Sequence, residues 1–219
     1  MEKFSYDEVP PVVNTLAGRK KAREIQSALI KCYACESDPV DHSAIPQPGP
    51  RAYHNIDHVY AVNQRLLNMY PYIQDMRLFL YIGWFHDCYY NTRSAKGVNE
   101  EMSGELAYKM LTDAGLPKCD AQFVQAGVTA TSDHPDSRVF GPIIDADLAI
   151  LAASYEDYIE YTNRICKEYH WCTPRKLRAG RKAWIESMLA RPHIYCLAEN
   201  RALWEKQARK NLIAEHLSL

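Results

Sequence analysis

Apolar residues that recur at a spacing of three and four constrain the fold of this chain more than any other feature. In the clearest stretch these residues are Ile56, Val59, Val62, Leu66 and Met69. This spacing is the period of an amphipathic helix, and it returns at 76–84, 100–111, 121–130, 155–169, 175–189 and 199–217. With only nine glycines and few alternating stretches, the chain predicts an all-α fold. We expect a compact multi-helix bundle with about seven to nine helices.

Glycine, proline and threonine predict where the helices begin and end. Residues 115–117, residues 132–135 and the pair Gly141-Pro142 are interpreted as stops, because glycine and proline interrupt regular helices. Thr173 followed by Pro174 predicts a helix start, with threonine as the N-cap and proline at the first helical position.

A proline-rich stretch divides the chain near its beginning. Residues 37–50 contain four prolines and one glycine, a composition that excludes a regular helix or a central strand. We therefore expect a single domain over residues 1–219. Within it, residues 1–36 form an N-terminal helical segment, 37–50 a linker, and 51–219 the core with the C-terminal helices.

The charge balance and the apolar stretches exclude several classes of partner. The 26 basic and 27 acidic residues give a formal net charge of -1, which favours neither a nucleic-acid polymer nor a membrane surface. The first residues lack the basic start and apolar centre of a secretory signal. The longest apolar stretch, 78–85, is too short to span a bilayer. We expect a cytoplasmic protein with a small-molecule ligand.

The seven cysteines are scattered along the chain, which fits reduced, buried thiols. Cys32 and Cys35 match the spacing of a CxxC motif. Because no second pair lies at the spacing of a zinc finger and no strand pattern precedes this one, we interpret both as ordinary thiols.

Polar residues that are able to bind metal interrupt the apolar pattern at four places. They are His54 with His58, His86 with Asp87, His134, and Asp145 with Asp147. His54 and His58 are four residues apart, so both imidazoles can project from one face of a helix. His86 and Asp87 end a strongly apolar run, where two polar groups are costly without partners. Imidazole and carboxylate groups from separate helices form the mixed ligand set of a first-row divalent metal.

The order of these residues resembles the signature of the HD-domain superfamily of metal-dependent phosphohydrolases. The signature is His, then His-Asp, then Asp, which here reads His58, His86-Asp87 and Asp147. The first segment is also similar to the YHNxxH segment of the cyclic-nucleotide phosphodiesterases, a branch of that superfamily.

The resemblance narrows to the branch known as predicted metal-dependent HD phosphohydrolases. That branch shares R-x-Y-H-N-x-x-H, F-H-D-x-x-Y, N-E-x-x-S, T-x-x-H and D-A-D-L. These motifs occur here at 51–58, 85–90, 99–103, 131–134 and 145–148, and the similarity continues through residues 168–212.

This resemblance implies an HD-type helical domain from about residue 51 onward, with a divalent metal ion as cofactor. The metal (Mn, Mg, Co, Ni, Fe or Zn) would be held by His58, His86, Asp87 and Asp147, with Asp145 as the competitor for the last position. The implied reaction is hydrolysis of a phosphate ester or anhydride by a metal-activated water. The implied substrate is a nucleotide or a related small phosphorylated metabolite.

The resemblance also implies catalytic roles. His54 would protonate the leaving oxygen, or alternatively only hydrogen-bond nearby groups and secure the helix start. Asp87 would orient the attacking water or bridge to a second metal. Glu100 would hold a water or a ligand histidine, with a simple favourable charge at a helix N-terminus as the alternative.

Arg51, Arg181 and His134 are the candidates for binding a substrate phosphate, and His134 is alternatively a ligand of a second metal. Where the branch tends to have an arginine before a Glu-Tyr pair, this chain has Cys166. Two interpretations of that arginine remain open, a phosphate contact and a structural ion pair.

Two other classes of function remain open. An HD-type mixed-valence di-iron oxygenase would need further ligands, and His134 is the obvious extra histidine near a motif. A catalytically idle nucleotide-binding protein is the other class, against which the intact set of His, His-Asp and Asp argues. The sequence is compatible with a homo-oligomer.

Overall fold

The computed structural model describes residues 4–12, 15–34 and 51–219. Within these ranges the regular structure consists of nine α-helices and one 3-10 helix, without strands, so the all-α prediction is confirmed. The helices are α1 (Leu16–Tyr33), α2 (Ile56–Met69), α3 (Met76–Phe85), α4 (Val98–Asp113), α5 (Lys118–Ala130), α6 (Gly141–Leu148), α7 (Tyr155–Glu168), α8 (Pro174–Leu189) and α9 (Ala198–Ser218). The 3-10 helix, Ala149–Ala152, follows α6.

Two of the sequence predictions concern residues outside these ranges, whereas the membrane and cysteine predictions concern described residues. The expected linker at 37–50 and Cys35 of the CxxC pair lie outside the described residues, so both interpretations stay predictions. Among the described helices, none is both long enough and apolar enough to cross a membrane. The six cysteines within the described ranges form no disulfide.

The chain divides into two compact units, one up to Pro135 and one from Asp136 onward. In the first unit, α4 packs along α5, and α3 packs against α2, α4 and α5. Nine of the ten residues of α3 are buried, all except Arg77, which is the pattern of a helix enclosed on every side. This central helix carries His86 and Asp87 at its C-terminal end.

In the second unit, the 3-10 helix packs against α6, α7 and α9, and α8 packs against α9. Asn211 of α9 donates hydrogen bonds from Nδ2 to the carbonyl oxygens of Leu151 and Ala153, at 2.8 and 3.0 Å. Because Asn211 is buried, its amide secures the end of the 3-10 helix within the core of this unit.

Helix boundaries agree with the sequence at one proline and disagree at another. Thr173 is the N-cap of α8 and its hydroxyl accepts a hydrogen bond from the Lys176 amide, with Pro174 following it, as predicted. The interpretation of Gly141-Pro142 as a stop is wrong, because α6 begins there. Proline near the start of a helix loses no hydrogen bond, since the first amides have no partner within the helix.

Candidate metal centre

Asn55 determines where α2 begins and thereby where its two histidines lie. The Asn55 side chain accepts hydrogen bonds from the backbone amides of Asp57 and His58, so the helix starts at Ile56. His54 therefore precedes the cap, and the prediction that His54 and His58 share one helical face is wrong. Their rings are nevertheless close, with centroids 5.8 Å apart.

His86 lies at the end of α3 with one ring nitrogen engaged by the helix itself. Its Nδ1 is 2.8 Å from the carbonyl oxygen of Gly83. Because a carbonyl only accepts hydrogen bonds, Nδ1 carries the proton in this arrangement. The lone pair of the neutral ring is then on Nε2, the nitrogen that faces His58, as in histidines that ligate metals.

Three donor atoms meet in the first unit, from His58, His86 and Asp87. The Nε2 atoms of the two histidines are 3.0 Å apart. Asp87 Oδ2 lies 3.1 Å from His86 Nε2 and 3.5 Å from His58 Nε2. The side chains are 3%, 1% and 12% exposed, in the order His58, His86 and Asp87, so Asp87 is the one most open to solvent.

The charge state of Asp87 follows from its surroundings. Burial alone would raise the pKa of this carboxyl. The positive charge of the His86 and His54 rings when they are protonated, with hydrogen bonds that the protonated rings of His58 and His86 donate, outweighs burial and holds the pKa of Asp87 well below its usual range. The carboxylate is therefore ionised at neutral pH. When the rings of His58 and His86 lose that proton, their imidazole nitrogens and the carboxylate suit a divalent first-row metal, so these residues fit the cofactor that the resemblance implies.

Arg51 takes part in the site through backbone groups. It is 7% exposed, and its Nη1 donates to the carbonyl oxygens of His54 and Asp87 while Nη2 donates to that of Cys88. These contacts differ from the expected role as a phosphate ligand, because the guanidinium binds protein oxygens instead.

The N-E-x-x-S motif anchors the segment that follows Asp87. The Ser103 hydroxyl accepts from the Tyr89 amide and donates to the Tyr89 carbonyl, and Asn99 Oδ1 accepts from the Asn91 amide at 3.0 Å. The motif pattern alone assigned neither role to Asn99 or Ser103. Glu100 lies between them, half-buried in the first turn of α4, and its two interpretations stay predictions.

His134 lies in the loop after α5 with a backbone φ of 45°, in the left-handed region that few residues other than glycine adopt. Its side chain is half-buried. An ion pair of 2.6 Å between Lys96 and Asp133 joins this loop to the segment before α4. The roles expected for His134, as phosphate or metal ligand, stay predictions.

The two carboxylates of the D-A-D-L motif, which belongs to the second unit, differ in their surroundings. Asp145 is fully buried and accepts hydrogen bonds from the backbone amides of Cys196 and Leu197 and from Asn200 Nδ2. Burial raises the pKa of Asp145 although these hydrogen bonds oppose the shift. Asp147 is half-buried two residues later. Asp145 thus holds the start of α9, which favours Asp147 as the ligand.

Arg181 of α8 forms an internal ion pair within the second unit. Its Nε and Nη2 donate to the two carboxylate oxygens of Glu215 at 2.8 and 3.0 Å, and Nη1 donates to the Tyr161 hydroxyl. The guanidinium also lies 4.3 Å from the centre of the Trp184 ring. These contacts favour a structural role over the expected phosphate contact. Cys166, where the family branch tends to have arginine, is exposed on α7.

Comparisons of the chain with family models, with curated proteins and with solved structures found no match. The functional assignment therefore depends on the chemistry of the site and on the motif order. His58, His86 and Asp87 form a candidate metal centre within the first unit.

Proposed function

We propose that this protein is a metal-dependent phosphohydrolase that acts on a nucleotide or a related small phosphorylated metabolite. The supporting observation is the convergence of His58 Nε2, His86 Nε2 and Asp87 Oδ2 within 3.5 Å of one another. Their donor chemistry, two imidazole nitrogens and one carboxylate oxygen, is that of a divalent metal site.

His58, His86 and Asp87 would hold the metal, and the proposal adds Asp147 as the fourth ligand. The choice of Asp147 relies on the motif order and on the hydrogen bonds that already engage Asp145. When bound, a divalent metal lowers the pKa of a coordinated water toward neutrality and polarises a phosphoryl oxygen.

The side chains of the first unit supply the remaining chemistry. The Asp87 carboxylate, ionised at neutral pH, accepts a hydrogen bond from the attacking water and orients it. His54 is half-buried and stacks on Tyr90 with ring centroids 4.2 Å apart, which limits the rotation of its imidazole. An N–H of the protonated His54 ring donates its proton to the leaving oxygen.

A screen of phosphate release tests this proposal. The metal-free protein is reconstituted separately with Mn²⁺, Co²⁺, Ni²⁺ or Mg²⁺ and incubated with nucleoside mono-, di- and triphosphates and with cyclic nucleotides. For the cyclic nucleotides, the ring-opened monophosphate is measured. We expect metal-dependent hydrolysis of a narrow group of these substrates. We expect its loss in His86→Ala, with the helical circular dichroism signal retained.

His193→Ala is the matched control, because His193 is an exposed histidine outside the site, and its activity should equal that of the wild type. Hydrolysis by His86→Ala at the wild-type rate would contradict the proposed site. Bound iron with dioxygen consumption and no hydrolysis under any metal would support the oxygenase class. Nucleotide binding without turnover would support the idle binding protein.

A further inference from the structure

We infer that Arg51 is a positioning residue of the metal centre, which holds the backbone of His54 and the backbone of Asp87 in one fixed arrangement. This inference rests on the proposed function, since it assigns a task within the same site. It replaces the phosphate contact that the sequence suggested for Arg51.

The hydrogen bonds of Arg51 connect two segments that are far apart in the chain. Nη1 donates to the His54 carbonyl at 3.0 Å and to the Asp87 carbonyl at 2.7 Å. Nη2 donates to the Cys88 carbonyl at 3.0 Å. The first segment precedes α2, which carries His58, and the second directly follows His86, the C-cap of α3. The Arg51 side chain therefore links the backbone just before α2 to the backbone just after α3.

Two aromatic rings, those of Tyr33 and Tyr90, lie against the guanidinium of Arg51, and one of them also contacts His54. Arg51 Cζ is 5.1 Å from the centre of the Tyr33 ring and 5.5 Å from that of Tyr90, within the range of cation–π attraction. Tyr90 in turn stacks on His54, and the Tyr33 hydroxyl donates to the Trp84 carbonyl in α3. Arg51 is thus joined to the imidazole of His54 as well as to its backbone.

The geometry of the guanidinium explains why its contacts disfavour a phosphate. Both N–H groups of Nη1 are used by carbonyl oxygens, and Nη2 uses one more. A phosphate is bound bidentately by two neighbouring donors of the planar fork. The pair Nη1 and Nη2 already binds the backbone, and Nε, which would form the other pair with Nη2, is buried. Lysine cannot reproduce three such directions from one compact ammonium group.

Removing the guanidinium would leave three carbonyl oxygens without their donor. The distance between the backbones of His54 and Asp87 would then no longer be fixed by hydrogen bonds to Arg51. Loss of partners that orient metal ligands typically lowers metal affinity by about 10- to 100-fold. We therefore expect Arg51→Ala to bind Mn²⁺ about 10- to 100-fold more weakly than the wild type. Millimolar guanidinium ion, which restores the missing donor, should recover part of that affinity.

Arg209→Ala is the matched control, because Arg209 also donates to backbone carbonyls, those of Leu189, Arg191 and Pro192, but in the second unit. Its Mn²⁺ affinity should stay at the wild-type value, and guanidinium should leave it unchanged. Wild-type Mn²⁺ affinity in Arg51→Ala, with a raised KM alone, would overturn the inference in favour of a phosphate contact. Weakened Mn²⁺ binding that guanidinium does not restore would also overturn it.

A second variant and a second measurement keep the test decisive. If Arg51→Ala fails to fold, Arg51→Lys is used, and we expect intermediate Mn²⁺ affinity with an unchanged circular dichroism spectrum. Histidine ¹⁵N spectra of the metal-free proteins should show shifted His54 and His86 signals in Arg51→Lys and unchanged ones in Arg209→Lys. Unchanged signals in Arg51→Lys would overturn the inference. If the wild type binds no metal, the proposed function is contradicted. The histidine spectra of the metal-free proteins still test whether Arg51 positions His54 and His86.

Discussion

His86 Nδ1 lies 2.8 Å from the carbonyl oxygen of Gly83, one helical turn earlier in α3. This hydrogen bond directs Nε2 of His86 toward His58. Gly83 also faces α2, because a Cβ atom at this position would lie 2.0 Å from Asn63 Oδ1. The same glycine thus orients a proposed ligand through its carbonyl and admits a close approach of α2 through its missing side chain.

Gly83→Ala should destabilise the protein and weaken metal binding. The added Cβ overlaps the Asn63 amide, and relieving such an overlap in a packed core typically costs about 1–3 kcal/mol of unfolding free energy. Urea unfolding of the metal-free protein measures the loss, and the double variant Gly83→Ala/Asn63→Ala should recover part of it. Gly180→Ala is the control, since nothing lies within 4 Å of a Cβ there. Equal stability of the two single variants would contradict the packing account.

Asp87→Asn should abolish tight metal binding while the fold persists. The amide keeps the shape of the side chain but removes the negative charge that completes the ligand set, so we expect Mn²⁺ affinity to fall by at least about 100-fold. Asp57→Asn, which changes an exposed carboxylate in the first turn of α2, is the control. Calorimetric titration measures both variants. Unchanged Mn²⁺ affinity in Asp87→Asn would exclude Asp87 as a ligand.

Asp145→Asn and Asp147→Asn should affect different properties, the first lowering stability and the second lowering metal affinity. Asp145 accepts from two backbone amides and from Asn200, so its substitution should lower the free energy of unfolding by about 1–3 kcal/mol. Asp147→Asn should retain stability and lose metal affinity. Urea unfolding and Mn²⁺ titration of both variants separate the two effects, and the reverse assignment of losses would make Asp145 the ligand.

The Cys88 thiol should be unreactive in the folded protein. Burial raises its pKa to about 12, whereas an unfolded thiol has a pKa of about 8.5. Between these values the unfolded chain loses its proton first, so the stability that Cys88 contributes is complete below about pH 8.5 and is lost as pH rises toward 12. At pH 8 a thiol reagent should label the exposed Cys119 and leave Cys88 unlabelled until urea unfolds the protein.

The comparison of Cys88→Ala with the wild type checks the sign of this effect. The wild type should lose stability faster than the variant as pH rises from 9 to 11, by up to about 1.4 kcal/mol per pH unit. A stability difference that stays constant over this range would contradict the raised pKa of Cys88.

Periodicity predicted most of the helices, because a helix that packs by one face buries an apolar stripe that repeats at 3.6 residues. The start of α6 was missed, since Gly141-Pro142 has the composition of a stop and its role depends on the residues that follow. The start of α2 at Ile56 could have been predicted from the sequence, because an Asn such as Asn55 before an apolar stripe is an N-cap signal. That signal explains why His54 lies outside α2.

The roles of Arg51 and Asp145 could not be predicted from the sequence, for a physical reason. Arg51 binds carbonyl oxygens and Asp145 binds amide groups, and every residue has such backbone groups. Their positions depend on the packing of distant segments, so no residue type marks the partner. Motif order therefore indicated the candidate metal ligands. The hydrogen bonds of Asp145 within the second unit then distinguished its structural role from the ligand role proposed for Asp147.

A Co²⁺ titration of the metal-free protein tests the central claim most directly, because the visible absorption of Co²⁺ reports its nitrogen and oxygen ligands. We predict saturable binding of about one or two Co²⁺ per chain, with absorption that is lost in His58→Ala and in His86→Ala and retained in His193→Ala. Identical titrations of the wild type and His86→Ala, or no saturable binding by the wild type, would contradict the metal centre.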